Sequence, residues 1–310
     1  MIARLTAMAR GASSLAGGID LLIMAMGLLC LVVSIGVWIC MITFVVRYHK
    51  GSKASRAQRK AKSMPVELTW TLVPFALFLA AFVWSIRLYA RIETPPSDAT
   101  PIYVVARQWM WKLQHVNGVR EINELHVPVG RDIKLVMISQ DVIHSFFVPA
   151  FRIKQDVLPG RYTQLWFRAT QAGTYNLFCA EYCGTLHADM GGKIVVMKPA
   201  AFAAWLDSRP HQDSMVERGK KLFRKYGCSG CHIDGSSVHA PRLQDLYGKP
   251  VPLTGGSFVK ADEAYFHDSV MQPDKQIAAG YAPIMPSFDG QMPEDDLMAL
   301  TEWFRAGAPQ

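Results

Sequence analysis

Charge is scarce in this chain of 310 residues: Asp, Glu, Lys and Arg make up 19%, against 50% for the apolar residues. A sequence so poor in charge has ample apolar surface to bury, which excludes disorder and points to a membrane portion. Acids are scarcest at the start. Residues 1–90 carry 10 Lys/Arg and 2 Asp/Glu, residues 91–210 carry 13 and 10, and residues 211–310 carry 10 and 13. The whole of the net +8 therefore lies beside the apolar N-terminal third, and neither later segment offers the basic face that a nucleic-acid partner needs. Only 6 Cys are present, too few and too unevenly spaced for a disulfide scaffold of this length. They need another explanation.

Between Asp20 and Arg47 no residue is charged, and Leu, Ile, Val and Met dominate. The run exceeds the roughly 20 residues that cross a bilayer core, and it is too long for the apolar part of a cleaved signal peptide. A second run, Leu68 to Ile86, is bounded by Glu67 and Arg87; its Pro74, Thr69, Thr71 and Ser85 are tolerated where neighbouring groups cover the freed carbonyls. Two membrane helices are expected, over about 20–46 and 68–88. The loop between them holds Arg47, Lys50, Lys53, Arg56, Arg59, Lys60 and Lys62 and no acid, so it faces the cytoplasm by the positive-inside rule. Both termini, and everything after about residue 90, then lie on the outer side. Cys30 and Cys40 read as small packing residues of the first span. Glu67 reads either as an interfacial carboxylate or as a residue of a proton path.

Residues 91–207 read as a small β domain of Greek-key type. Runs rich in β-branched and aromatic residues (102–114, 134–139, 163–167, 174–178, 193–197) alternate with turn signals such as Asn117-Gly118 and Pro159-Gly160. A short helix follows Pro199, with Phe202 and Trp205 on one face. Chemistry concentrates in Cys179-Ala-Glu181-Tyr-Cys183-Gly-Thr-Leu-His187-Ala-Asp-Met190. Thiolate and thioether are soft ligands and imidazole is intermediate, a set that suits copper. Two Cys can place both thiolates on one metal or bridge a pair. Competing readings are a disulfide, a zinc site in which Met190 has no role, and a membrane-anchored copper chaperone or assembly protein. His144, in Asp141-Val-Ile-His144-Ser-Phe-Phe at the end of another apolar run, completes the pattern H…C-x-E-x-C-x3-H-x2-M.

That pattern resembles the dinuclear CuA signature of subunit II of haem-copper cytochrome c oxidases. The resemblance runs collinearly over roughly residues 18–208. It includes Met64-Pro-Val-Glu67-Leu-Thr-Trp70, Gln108-Trp109-Met110-Trp111 and Lys154-Gln-Asp-Val-Leu-Pro-Gly-Arg161. One departure is Met110, where the family's aromatic stretch usually has Tyr. The resemblance implies a cupredoxin-like Greek-key β-barrel in which Cys179 and Cys183 bridge two coppers and His144 and His187 each ligate one. Met190 and the Glu181 carbonyl are the weak axial ligands. It also implies that the Glu181 side chain helps hold magnesium at the interface with subunit I, that electrons enter through Trp109, and that Glu67 marks the mouth of a proton path into subunit I.

Residues 208–214, short and polar, read as a linker, and residues 215–310 as a further domain. Cys228-Ser-Gly-Cys231-His232 is the attachment motif of c-type haem. A redox pair or half a zinc site would read the same way, but no second Cys pair exists to finish a zinc site, and the topology places this segment where haem c is attached. The segment resembles an all-α class I cytochrome c. Val216–Lys225 and Glu294–Ala306 would be the two crossing helices, with Gly219, Phe223 and Trp303 on their inner faces. Met285, in Met285-Pro-Ser-Phe288, would be the sixth iron ligand ahead of Met271 and Met292, and Pro241 would orient the His232 ring.

Together these features describe a multidomain membrane protein resembling subunit II of caa-type oxidases. The resemblance implies a respiratory translocase subunit of a bacterial inner membrane, partnered by subunit I, subunit III and a cytochrome c-like or membrane-bound donor. Haem c and CuA would pass electrons to haem a, and dioxygen would become water in subunit I. A nitric-oxide-reducing relative that also carries CuA would share this sequence pattern. The net −3 of the last segment against the net +3 of its neighbour predicts a weak mutual attraction.

Overall fold

The computed structural model describes residues 11–55, 64–209 and 213–308. The loop cations Arg56, Arg59, Lys60 and Lys62 and the linker residue His211 lie outside them. Two compact units emerge, one formed by residues 15–94 and the other by residues 1–14 and 95–310.

The first unit is a pair of long helices, α1 (Ala16–Arg47) and α2 (Met64–Glu93). At 1.5 Å per residue the 32 residues of α1 reach about 48 Å, enough to cross a hydrocarbon core of about 30 Å and emerge on both sides. Large apolar side chains such as Trp38, Phe44, Trp70 and Phe75 point outward all round, as lipid solvation requires. Two hydroxyls of α2 are satisfied within the helix: that of Thr69 donates to the Pro65 carbonyl at 2.7 Å and that of Thr71 to the Glu67 carbonyl at 2.8 Å.

The second unit begins with a sandwich of two five-stranded sheets. Strands β1 (Thr100–Arg107), β2 (Met110–His115), β3 (Arg120–Ile122), β5 (Asp132–Ser139) and β8 (Thr163–Arg168) form one, in the order β3-β2-β1-β5-β8. The other is β4 (Glu124–Pro128), β6 (His144–Val148), β7 (Ile153–Val157), β9 (Gly173–Cys179) and β10 (Gly191–Met197), ordered β4-β10-β9-β6-β7. This is the expected cupredoxin-like architecture. The run 102–114 is not one strand but a hairpin, turning at Gln108 and Trp109 so that Ala106 faces Trp111 across the ladder. His144 opens β6 rather than closing an apolar strand. Residues 12–14 return to the sandwich, with Ala12 N donating to the Ala150 carbonyl at 2.7 Å and Ser14 N to that of Arg168 at 2.9 Å.

Helix α3 (Pro199–Asp207) stacks the Phe202 and Trp205 rings on each other, and Trp205 lies on His126 with centroids 4.3 Å apart. A helical module follows, built from α4 (Met215–Lys225), a hairpin of β11 (Pro250–Pro252) and β12 (Phe258–Lys260), α5 (Glu263–Met271) and α6 (Glu294–Arg305). Ser214 and Glu217 form a reciprocal capping box on α4. Helices α4 and α6 cross at Gly219, where a Cβ would lie 2.2 Å from the Ala299 carbonyl oxygen. Only glycine permits that approach, and Phe223 then packs on Trp303 with ring centroids 4.6 Å apart.

The module packs directly on the sandwich. Tyr103, Val105, Val136, Ile138 and Tyr162, from the outer face of β1 and β5 and the approach to β8, share one buried apolar cluster with Met215, Phe266, Leu297 and Phe304. Met215 N donates to the Val116 carbonyl at 2.9 Å, and Lys134 pairs with Glu263 at 2.9 Å.

Candidate metal centre and haem crevice

Strand β9 ends at Cys179, and the loop 180–190 folds back so that β10 can pair with it. That return brings soft donors together. The sulfurs of Cys179 and Cys183 lie 3.8 Å apart as free thiols, both buried. His144 Nδ1 is 3.9 Å from the Cys179 sulfur, and His187 Nδ1 is 3.4 Å from that of Cys183. Met190 Sδ stands 3.6 Å from the Cys183 sulfur, and the Glu181 carbonyl oxygen 3.3 Å from that of Cys179. Each thiol thus has one imidazole and one weaker donor beside it. All six residues singled out in the sequence meet in this cluster, whereas a copper chaperone would leave His187 and Met190 without a part. The Glu181 side chain itself is exposed at the rim.

The electrostatics favour ionising one thiol first. Burial raises the Cys179 thiol, but hydrogen bonds from His144, the backbone and Cys183 outweigh it and bring it well below the ordinary range. Burial and the neighbouring Cys179 charge push Cys183 up. A cation placed between them removes that repulsion, so metal binding releases protons here. For His144, burial acts downward, yet the Cys179 sulfur and Asp141 carboxylate raise it overall. Asp141 is itself held low: burial acts upward, but donation from the Gln108 backbone, His144 and the Val142 backbone prevails.

Trp109 and Gln108, in the β1–β2 turn, both bond the Cys183 carbonyl, through Trp109 Nε1 at 3.2 Å and Gln108 Nε2 at 2.8 Å. Gly184 makes this contact possible. Its φ is +117°, and a Cβ there would lie 2.9 Å from Gln108 Nε2. Gln108, Asp141 and Gly184 were not identified from sequence; the nearest signal was the position of Asp141 three residues before His144.

In the helical module, Cys228, Cys231 and His232 line one apolar crevice of about 350 Å³ together with Pro241, Met285 and Phe288. His232 Nδ1 donates to the Pro241 carbonyl at 2.9 Å, which leaves Nε2 free to ligate iron. Two thiols, a free imidazole nitrogen and a thioether around an apolar slot fit a covalently attached haem. Met271 and Met292 line instead a separate cavity shared with Trp109 and Asp141. Glu67 lies in the exposed first turn of α2, apart from both clusters in sequence.

Models of the cytochrome c oxidase subunit II transmembrane and periplasmic domains match residues 3–88 and 112–198. The chain belongs to the cytochrome c oxidase subunit II family. A cytochrome c model matches residues 216–307 of this subunit II chain. Cytochrome c oxidase subunit 2 of Alkalihalophilus pseudofirmus is 26% identical over 78% of this chain and 72% of its own. The alternative cytochrome c oxidase subunit 2 of Bradyrhizobium diazoefficiens is 29% identical over 45% of this chain and 61% of its own. Among solved structures, the periplasmic domain of subunit II of cytochrome oxidase from Bradyrhizobium japonicum is 30% identical. It covers 37% of this chain and 96% of that one, at a TM-score of 0.36. Subunit II and cytochrome c domains imply copper and haem c, and the two helices imply a membrane-anchored protein.

Proposed function

We propose that this chain is the subunit through which electrons enter a terminal oxidase of the caa type. Haem c and a dinuclear copper pair would supply two one-electron relay centres between a cytochrome c-like or membrane-bound donor and haem a of subunit I, where dioxygen becomes water and protons are pumped. The observation that carries this reading is the convergence of the Cys179 and Cys183 sulfurs, 3.8 Å apart, with one imidazole beside each. Cys179, Cys183, His144, His187, Met190 and the Glu181 carbonyl would hold the copper pair. Cys228, Cys231, His232 and Met285 would hold the haem.

The remaining residues bind, orient and exclude water. Burial of both thiols keeps solvent from the copper ligands, and the Pro241 carbonyl fixes the His232 ring. Trp109, bonded to the Cys183 carbonyl, is the aromatic through which electrons reach the copper ligands. The exposed Glu181 carboxylate would contribute to a magnesium site at the subunit I interface, and Glu67 would open a proton path into subunit I. Subunit III completes the complex. The basic loop after α1 would set the metal domains on the outer side of a bacterial inner membrane.

Electron paramagnetic resonance on the purified complex tests this reading. Copper hyperfine structure from one electron shared by two equivalent nuclei, together with a low-spin haem c, is expected. A single-copper signal would overturn it.

A further inference from the structure

We propose that Asp141 is a positioning residue that locks the His144 ring and the Trp109 turn to one another. This rests on the dinuclear copper reading above. Asp141 Oδ1 accepts from His144 Nε2 at 2.8 Å and from Val142 N at 2.7 Å, while Oδ2 accepts from Gln108 N at 2.7 Å. Gln108 then turns its side-chain amide onto the Cys183 carbonyl at 2.8 Å, beside Trp109 Nε1 on the same oxygen. The contacts close a circuit from His144 through Asp141 and Gln108 to Cys183, so one metal-facing imidazole and one bridging thiol are tied to the same two-residue turn.

The chemistry of the carboxylate is what permits this. Both oxygens must accept, one from an imidazole N–H and the other from a backbone N–H. The His144 bond fixes the tautomer, leaving the Nδ1 lone pair toward the Cys179 sulfur and the metal. An Asn at this position offers one acceptor and one NH₂ group. It can satisfy His144 or the Gln108 backbone, and must set donor against donor at the other. The arrangement is also one-sided: among the described residues, His187 has no carboxylate partner of this kind. Loss of Asp141 should therefore disturb one copper more than the other. The same carboxylate lines the cavity that Trp109 shares with Met271, Gln291 and Met292 of the helical module, so the circuit sits on the side of the candidate copper centre that faces the helical module.

The experiment is Asp141→Asn in the intact oxidase. Copper content should be retained, the hyperfine pattern should lose the equivalence of its two nuclei, and haem-to-copper electron transfer should slow by about tenfold or more, the usual scale for losing such a partner. Gln108→Ala keeps its backbone N–H on Asp141 but releases the Cys183 carbonyl, so it should slow transfer while leaving the copper spectrum in place. An Asp141→Asn enzyme with the parent copper spectrum and a transfer rate within about twofold of it would overturn the proposal. Should that variant fail to assemble, Gln108→Ala decides alone, and an unchanged transfer rate would sink the circuit. Absence of a two-copper signal in the unsubstituted enzyme would instead sink the copper reading on which it rests.

Discussion

The Tyr103 hydroxyl donates to Glu302 Oε2 at 2.6 Å, joining β1 of the sandwich to the last helix of the cytochrome module across a buried seam. Arg305 grips the same carboxylate through two nitrogens, at 2.9 and 2.8 Å. Burial, and then the Glu302 charge, hold the Tyr103 phenol well above its ordinary pKa, so it stays neutral and donates. The module is therefore seated by a specific bond to a charged group as well as by apolar packing.

Removing that donor should loosen the seat. Tyr103→Phe keeps the ring but strips Glu302 of one partner. A hydrogen bond to a charged group contributes about 1.5–3 kcal/mol, so unfolding of the module, followed by its haem absorption in denaturant, should shift by that amount. An unchanged midpoint would mean that Arg305 alone satisfies the carboxylate.

Acid should weaken the same seam through Glu263. Burial acts to raise its carboxyl, but the Lys134 ammonium at 2.9 Å and further hydrogen bonds hold it below the ordinary range. A carboxyl depressed on folding contributes stability that is complete above its unfolded pKa, about 4.3, and that is lost as pH falls through the lower folded value. Stability measured from neutral pH downward should therefore decline over that window. Glu263→Gln should start lower at neutral pH and decline less. Parallel pH profiles for the two proteins would contradict the assignment.

Gly219 should prove indispensable to the haem module. A methyl group there would lie 2.7 Å from Trp303 Cβ as well as against the Ala299 carbonyl. Helices α4 and α6 must then separate, a cost of about 1–3 kcal/mol or more for overpacking. Gly219→Val, with a larger group, should yield protein with markedly reduced covalent haem and normal copper content. Full haem loading would show that the crossing can adapt.

Met190→Leu should spare copper uptake but change the electronic spectrum of the centre. The thioether, 3.6 Å from the Cys183 sulfur, would be a weak donor to the proposed copper pair, and its loss would alter the metal environment without removing a thiolate or imidazole. Optical and magnetic spectra of the copper-loaded variant check this, and spectra identical to the parent would remove Met190 from the ligand set.

What the sequence determined by itself was whatever short-range pattern can encode. Helices α1 and α2 follow from unbroken apolar runs, and the observed bounds extend the expected 20–46 and 68–88 by a few residues at most ends. Five of the six candidate copper-ligand residues lie within residues 179–190, and the two thiols and His232 of the haem-attachment motif within residues 228–232, so both candidate sites are legible as local motifs. Tertiary structure alone decided the rest. The run 102–114 is rich in strand formers from end to end, so nothing in it marks the hairpin turn at Gln108 and Trp109. Strands β3, β4, β6 and β7 have at most five residues each, too few for a period-2 pattern to stand out. Strand β1 is buried on both faces from residue 101 to 106. Its pattern reveals that something covers the outer face but not what, because a covering partner leaves its own apolar residues elsewhere in the chain. The circuit through Asp141, Gln108 and Cys183 has the same origin: hydrogen bonds between residues 33 and 75 positions apart arise only once the sheets have set the distance.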